Sequence, residues 1–160
     1  MVLEMRRIET VFWEDIELGR VLQTEPIDIN AAAIRIFAEK FDPQPYHLDR
    51  EAGEASLFGG LCASGWHVTA VMMKLVSDEL EKQCIPLLGS TEVNWLDWHR
   101  PVFDRDSIYA KVTITDKIKP DKLSDHGLIR CDISVNNQRN IKVMSLSANL
   151  MIERKGKTDE

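Results

Sequence analysis

The stretch SGWHVTAVMMKLVSDEL, residues 64–80, decides the fold class. Apolar side chains recur three and four positions apart along it, which is the spacing of one face of an α-helix; they are Val68, Val71, Met72, Leu75 and Val76. Trp66, Ala70 and Met73 add apolar surface on other sides, and a helix that is apolar on most sides is typically wrapped by a sheet. The sequence therefore predicts a long buried helix, with its methionines and Trp66 packed in the core.

The second half of the chain changes from a helical period to a period of two. Residues 107–115, 129–136 and 144–152 each alternate apolar with polar side chains, which predicts antiparallel strands with one buried face. Further strands are expected at residues 91–99 and 22–27. One long helix with about five antiparallel strands predicts an α+β fold, a curved antiparallel sheet wrapped around a central helix.

A shorter helix is predicted at residues 31–40, ahead of the long one. Asn30 is its candidate N-cap, because an asparagine side chain can accept from the free N–H groups of a first turn. Asp42 precedes Pro43, and a residue before proline disfavours the α region, so the helix is expected to end there.

Composition restricts the possible functions. The chain has 160 residues, 44% of them hydrophobic, and a formal net charge of −6, which is typical of one globular domain and a poor match for sequence-independent nucleic-acid binding. No apolar run approaches the roughly 20 residues of a membrane span. We expect a single domain over residues 1–152 and a polar C-terminal tail over residues 153–160.

The cysteines and histidines give no metal signature. Cys62, Cys84 and Cys131 form no C-x-x-C pair, and the four histidines share no ligand spacing, so we expect neither a catalytic metal nor another cofactor. The first ten residues lack the apolar core of a signal peptide. A cytoplasmic protein with free thiols is therefore expected.

The segment FDPQPYHLD, residues 41–49, carries a candidate acid–base pair. Asp42 and His47 lie five positions apart, and two prolines stiffen the chain between them. A carboxylate and an imidazole held on a stiff turn could share one water molecule and move a proton in either direction. The same pattern also fits a surface turn with a helix-ending aspartate and a solvated histidine, so the spacing leaves both interpretations open.

The segment FGGLCASGWH, residues 58–67, leads into the long helix. Glycines allow close backbone approach, and the first N–H groups of a helix are unpaired and carry partial positive charge. Such groups would stabilise a carbonyl oxygen that acquires negative charge. The simpler interpretation is that the glycines make the turn and Ser64 caps the helix.

Together the two segments resemble the MaoC-like, or R-specific enoyl-CoA hydratase, family of the hot-dog fold. The family signature reads roughly D-x-N-P-x-H-x-D, followed after a spacer by a helix-opening H-G. Here residues 42–49 read DPQPYHLD, and Gly65 lies 18 residues after His47. The segment WHRPVFDRDS, residues 98–107, resembles a strand junction of the same family, and the likeness spans residues 12–152.

The resemblance implies a hot-dog homodimer, or a larger assembly of dimers, acting on acyl thioesters of coenzyme A or acyl carrier protein in fatty acid metabolism. Family hydratases add water to a 2-enoyl thioester or catalyse the reverse dehydration. The resemblance implies Asp42 and His47 as the water-activating pair and the Gly65 N–H as donor to the thioester oxygen. It also implies a set of substrate-binding residues around them, namely Gln44, Tyr46, Ser64 and Trp66.

Three positions depart from the family pattern. Gln44 replaces an asparagine, Ser64 stands where a histidine often precedes the glycine, and Arg105 stands where a glycine often precedes the acidic residue. None removes the acid–base pair, and together they suggest a sub-branch with a different acyl group or reaction direction.

Two alternatives to a hydratase remain open. One is a hot-dog thioesterase, although such enzymes usually carry a carboxylate on the central helix, and residues 65–77 contain none. The other is a non-catalytic subunit that binds an acyl thioester.

Overall fold

A computed structural model describes residues 9–119 and 124–156. Residues 1–8 of the predicted domain and residues 157–160 of the predicted tail lie outside the described residues. In chain order the elements are a short 3₁₀ helix Trp13–Asp15, β1 Val21–Gln23, β2 Ile27–Asp28, α1 Ala31–Phe41, α2 Pro45–Leu48, α3 Arg50–Ala55, α4 Gly65–Lys82, β3 Leu87–Trp98, β4 Ser107–Ile118, β5 His126–Asn137 and β6 Lys142–Glu153.

The strands form one antiparallel sheet in the order β1-β4-β5-β6-β3, with β2 also paired to β4. The period-two pattern explains the register, because Val112 of β4 pairs with Ile133 of β5, which pairs with Leu146 of β6. These inward side chains pack with those of α4 in one core. Residues 22–27 are not one continuous strand, because the chain leaves the strand conformation between β1 and β2. Thr24 lies in this break, where its N–H donates to the Ala110 carbonyl and its side-chain hydroxyl accepts from the Ala110 N–H.

Helix α4 is capped by Ser64, whose hydroxyl accepts from the Trp66 N–H at 3.3 Å. Its buried face is the predicted one and includes Val68, Met72, Leu75, Val76 and Leu80. The prediction that Trp66 packs in the core is wrong: the side chain is 59% exposed, and Ala70 is exposed beside it. The sheet therefore covers one side of the helix, and Trp66 and Ala70 lie on a side that it leaves exposed. No described helix is long and apolar enough to cross a membrane.

Strand β6 is buried on both faces, unlike the half-buried strand that its alternation predicts. The polar side chains Ser145, Ser147 and Asn149 are all buried. Asn149 is covered by hydrogen bonds from neighbouring strands, donating to Glu92 at 3.0 Å and accepting from Arg130 at 3.4 Å. Paired polar groups can be buried because their hydrogen bonds replace those to water.

Helix α1 begins as predicted, with the Asn30 side chain accepting from the Ala33 N–H at 2.9 Å, and it ends at Asp42. The segment interpreted as a stiff turn contains the short helix α2, and α3 follows directly after it. Proline stiffens a chain, but it is also well suited to the first position of a helix, which is where Pro45 lies. His47 therefore projects from a helical turn.

The segment after β6 contacts the beginning of the described chain. Arg154 donates to Glu14 at 2.9 Å, and Lys155 pairs with Asp15 at 2.5 Å. These ion pairs join the two terminal parts of the described chain near the beginning of β5, where Trp13 donates to the Leu128 carbonyl.

Candidate active site

His47 is fixed by a backbone carbonyl. Its side chain is buried, and Nδ1 lies 2.6 Å from the Cys62 carbonyl oxygen. Because a carbonyl oxygen only accepts hydrogen bonds, Nδ1 must carry the hydrogen. In the neutral ring Nε2 is then an acceptor, so the turn before α4 determines which nitrogen is free for chemistry.

Asp42 faces that free nitrogen. Its Oδ2 lies 3.4 Å from His47 Nε2 and accepts a hydrogen bond of 2.7 Å from Ser64 Oγ. Asp42 is the residue after α1 and Ser64 the residue before α4, so two helix ends meet at the carboxylate. Two acceptors at this separation can both accept from one donor molecule such as water.

Gly65 is the first residue of α4, where a backbone N–H has no acceptor within the helix. The indole of Trp98 lies against it, donating from Nε1 to the Gly65 carbonyl at 3.0 Å. A Cβ at Gly65 would stand 2.7 Å from the Trp98 ring, closer than side chains pack. Glycine is therefore required by close approach.

A cavity of about 280 Å³ is lined by both His47 and Gly65, whereas Asp42 is not among its wall residues and reaches the site through His47. Its walls include Tyr46, His47, Gly65, Val68 and Trp98. The histidine and the helix opening, which are separated by 18 residues in sequence, thus share one space. Aromatic and aliphatic walls with a few convergent polar groups are typical of small-molecule sites.

Of the four predicted substrate-binding residues, the structure places Tyr46 on the cavity wall and the other three outside it. Tyr46 lines the cavity with its ring edge-on to His47, 4.5 Å between centroids. Ser64 is fully buried and bound to Asp42. Gln44 is exposed and outside the cavity wall, although its carbonyl accepts from the His47 N–H at 2.9 Å. Trp66 is also outside the wall, packed edge-on against Trp98.

The nearby thiol does not suit nucleophilic chemistry. Cys62 Sγ lies 3.7 Å from His47 Nδ1, and burial raises the pKa of this thiol to about 11. A thiolate is the reactive form, so at neutral pH Cys62 remains protonated. Its contribution to the site is the carbonyl oxygen that holds His47.

A second histidine lies close to the first. His67 of α4 is 8% exposed, and its ring stacks on Phe37 at 4.8 Å between centroids. Burial lowers the pKa of His67, and the neighbouring His47 lowers it further. Nδ1 of His67 is buried and has no hydrogen-bond partner among the described residues. The ring is therefore held neutral beside the acid–base pair.

Sequence reasoning missed two parts of this site. The Ser64–Asp42 hydrogen bond joins residues 22 positions apart, and no sequence motif marks it. The atom that holds His47 is a main-chain oxygen, which has no sequence signal either. The contact of Trp98 with Gly65 had one signal, since residues 98–107 were already part of the family resemblance.

Solved structures share this architecture. A MaoC-like dehydratase from Rhodospirillum rubrum matches with a TM-score of 0.79 and 34% sequence identity, over 91% of this chain and 99% of that chain. The R-hydratase PhaJ1 from Pseudomonas aeruginosa matches with a TM-score of 0.68 and 21% identity, over 94% of this chain and 93% of that chain, a likeness of fold. The uncharacterized protein YdeM of Bacillus subtilis (strain 168) is 29% identical over 141 residues, 88% of this chain and 98% of that protein.

The antiparallel sheet packed on a long central helix, with these structural neighbours, defines an α+β protein of the hot-dog fold, which confirms the predicted fold class. Within that class, the model of the MaoC-like domain matches residues 15–128. The chain belongs to this MaoC-like domain family, as the motif at residues 42–49 and Gly65 indicated.

Proposed function

We propose that the protein hydrates 2-enoyl thioesters of coenzyme A or acyl carrier protein, or dehydrates the corresponding 3-hydroxyacyl thioesters. The observation that carries the proposal is the 3.4 Å separation of Asp42 Oδ2 and His47 Nε2. His47 also lines the cavity that includes Gly65, the residue that opens α4. Asp42, His47 and Gly65 are the proposed catalytic residues.

Asp42 and His47 would hold and deprotonate the water. With a neutral imidazole and an ionised carboxylate, both facing atoms are acceptors, because the hydrogen on Nδ1 is donated to the Cys62 carbonyl. One water molecule can donate to both and present its oxygen to the β-carbon of the enoyl group. The proton taken from water is then returned by the same pair to the α-carbon, which completes the addition.

The helix opening would stabilise the intermediate charge. When the β-carbon is attacked, electron density moves through the conjugated system onto the thioester oxygen. The Gly65 N–H, at the positive end of an 18-residue helix, is the proposed donor to that oxygen. A backbone donor fixed by the Ser64 cap and the Trp98 contact does not need to reorganise during the reaction.

Purified protein with crotonyl-CoA tests the proposal through the loss of enoyl absorbance. Asp42→Asn and His47→Ala should each reduce kcat by at least roughly a hundredfold, as expected on removal of a general acid–base. Near-wild-type activity of Asp42→Asn would contradict the mechanism. Asp28→Asn is a matched control, because it makes the same change at an exposed aspartate outside the cavity wall.

The positions of the carboxylates on α4 do not favour a thioesterase. The buried Glu79 lies 14 positions after Gly65, about 21 Å along the axis at 1.5 Å per residue, and its Oε1 accepts from Gln83. Release of free coenzyme A from butyryl-CoA, followed with a thiol reagent, would instead support a thioesterase. Binding of acyl thioesters without any turnover would support the non-catalytic subunit.

We further propose that the protein forms homodimers through β3. This strand is at the edge of the sheet and exposes apolar side chains, namely Leu88, Val93, Trp95 and Trp98. A long edge strand with exposed apolar side chains is a template for pairing with another chain, and a twofold axis allows the same strand to pair with itself. A monomeric mass in equilibrium sedimentation at micromolar concentration would contradict this arrangement.

A further inference from the structure

The segment that follows β3 is fixed against the opening of α4. Trp98 Nε1 donates to the Gly65 carbonyl at 3.0 Å, and the Ala63 N–H donates to the Val102 carbonyl at 2.8 Å. These two hydrogen bonds lie two residues before and two residues after Arg100. The Arg100 N–H in turn donates to the Val143 carbonyl at 3.2 Å. The backbone of Arg100 is thus held in place beside the proposed oxyanion site.

Arg100 lines the same cavity as His47 and Gly65. It is the only lysine or arginine among the described wall residues, and no aspartate or glutamate is among them. Much of the rest of the wall is apolar, for example Phe58 and Val102. Arg100 is therefore the one permanently positive residue of the described wall, although the chain as a whole carries −6.

No described residue forms an ion pair or a side-chain hydrogen bond with this guanidinium. Several other arginines of the described chain are engaged, as Arg50 is with Asp104 at 2.7 Å. Arg105 and Arg139 have no side-chain partner among the described residues either, but both lie outside the cavity wall. The neighbouring His99 is also engaged, because its Nε2 lies 2.6 Å from Ser145 Oγ. Arg100 is exposed and belongs to the cavity wall, so its five N–H donors are open to a ligand at this wall.

We propose that Arg100 is a specificity-determining residue that pairs with an anionic group of the substrate; this rests on the proposed function. A guanidinium binds carboxylate and phosphate oxygens through two parallel hydrogen bonds. Two parts of an acyl thioester can supply such oxygens. One is the phosphate of the coenzyme A or phosphopantetheine carrier, and the other is a carboxylate at the far end of a dicarboxylic acyl group.

Calorimetric titration with three saturated thioesters, which have no enoyl group to hydrate, distinguishes these sources. Butyryl-CoA carries phosphates alone, glutaryl-pantetheine carries a carboxylate alone, and butyryl-pantetheine carries neither. Each is titrated into wild-type protein, Arg100→Gln and Arg100→Lys. Arg139→Gln is the matched control, because Arg139 is exposed and outside the cavity, and its loss changes the net charge equally.

We expect Arg100→Gln to weaken binding of one or both charged ligands by roughly tenfold or more, the usual effect of losing a charge-assisted hydrogen bond. Binding of butyryl-pantetheine should be unchanged, and Arg100→Lys should recover part of the loss. A loss for butyryl-CoA identifies the phosphate as the bound group, and a loss for glutaryl-pantetheine identifies the carboxylate.

Three results would overturn the proposal: equal losses for all three ligands, no loss for either charged ligand, or the same loss in Arg139→Gln. Failure of wild-type protein to bind any of the three would also overturn it. The proposed function is tested separately by crotonyl-CoA hydration. Wild-type protein that shows charge-dependent binding through Arg100 but hydrates neither crotonyl-CoA nor its dicarboxylic counterpart glutaconyl-CoA would refute the hydratase and leave the role of Arg100 intact.

Discussion

Ser64 Oγ donates a 2.7 Å hydrogen bond to Asp42 Oδ2 and accepts one from the Trp66 N–H. One buried hydroxyl thus joins the residue that ends α1 to the first turn of α4. Because the same carboxylate oxygen faces His47 Nε2, the position of the acid–base pair depends on the cap of the helix that presents Gly65.

Replacing Ser64 should separate its two roles. Ser64→Ala removes both hydrogen bonds, so we expect a roughly tenfold fall in kcat and a loss of about 1 kcal/mol in the free energy of unfolding. Glycine is a tolerable N-cap, so Ser64→Gly should give the same fall in kcat with a smaller loss of stability. Crotonyl-CoA kinetics and urea unfolding measure the two quantities. Full activity in both variants would show that Asp42 is positioned without the hydroxyl.

The contact between Gly65 and Trp98 makes a stability prediction. Gly65→Ala places a methyl group 2.7 Å from the indole, and we expect a loss of about 1–3 kcal/mol in the free energy of unfolding, as in other overpacked sites. In a Trp98→Leu background the same change should cost clearly less, because the ring is absent. Urea unfolding of the four proteins measures the coupling. An equal cost in both backgrounds would place the strain elsewhere.

The period of the sequence predicted the main elements, and the comparisons confirm the fold. A repeat of 3.6 residues identifies α4, and a repeat of 2.0 residues identifies the long strands. In each case the side chains at that spacing lie on the same face and meet the same environment. Trp66 was misassigned because an apolar residue in the first turn of a helix does not have to point into the core. Here it packs against the indole of Trp98 and remains exposed. The second buried face of β6 also went undetected, since paired serine and asparagine side chains look solvent-facing in a sequence.

The proposed catalytic residue types at the site could be predicted from the sequence, but the hydrogen bonds that hold them in place could not. Asp42, His47 and Gly65 belong to motifs with fixed spacing, and the structure places Asp42 beside His47 and Gly65 on the same cavity as His47. Every residue has a main-chain carbonyl that can accept a hydrogen bond. The sequence therefore does not show that the carbonyl of Cys62 is the one that binds His47. The position of Arg100 could not be predicted either, because two hydrogen bonds formed only in the folded protein place its segment against the opening of α4.

Thiol labelling should distinguish the three cysteines. Burial raises the pKa of Cys62 to about 11 and that of Cys131 to about 12, whereas Cys84 is only partly buried. Native protein at pH 8 should therefore react with a disulfide reagent at a single thiol, and unfolded protein at all three. In Cys84→Ser the fast reaction should disappear. A fast reaction that persists would mean that the turn before α4 opens readily and exposes Cys62.

The buried histidine next to the acid–base pair predicts how stability depends on pH. Burial, reinforced by the nearby His47, lowers the pKa of His67 below its ordinary value of 6.5. The unfolded chain therefore binds a proton at a higher pH than the folded chain does. This contribution to stability is complete above pH 6.5, and it is lost as the pH falls through the folded-state pKa.

His67→Phe tests this linkage, because phenylalanine can keep the stacking on Phe37 and cannot titrate. One proton taken up on unfolding lowers the free energy of unfolding by at most about 1.4 kcal/mol per pH unit. Between pH 6.5 and 5 the wild-type protein should lose stability more steeply than the variant, by up to that slope. Urea unfolding at half-unit intervals measures both curves. Parallel curves would mean that His67 binds its proton equally well in the folded protein, and the neutral ring assigned to it beside His47 would be wrong.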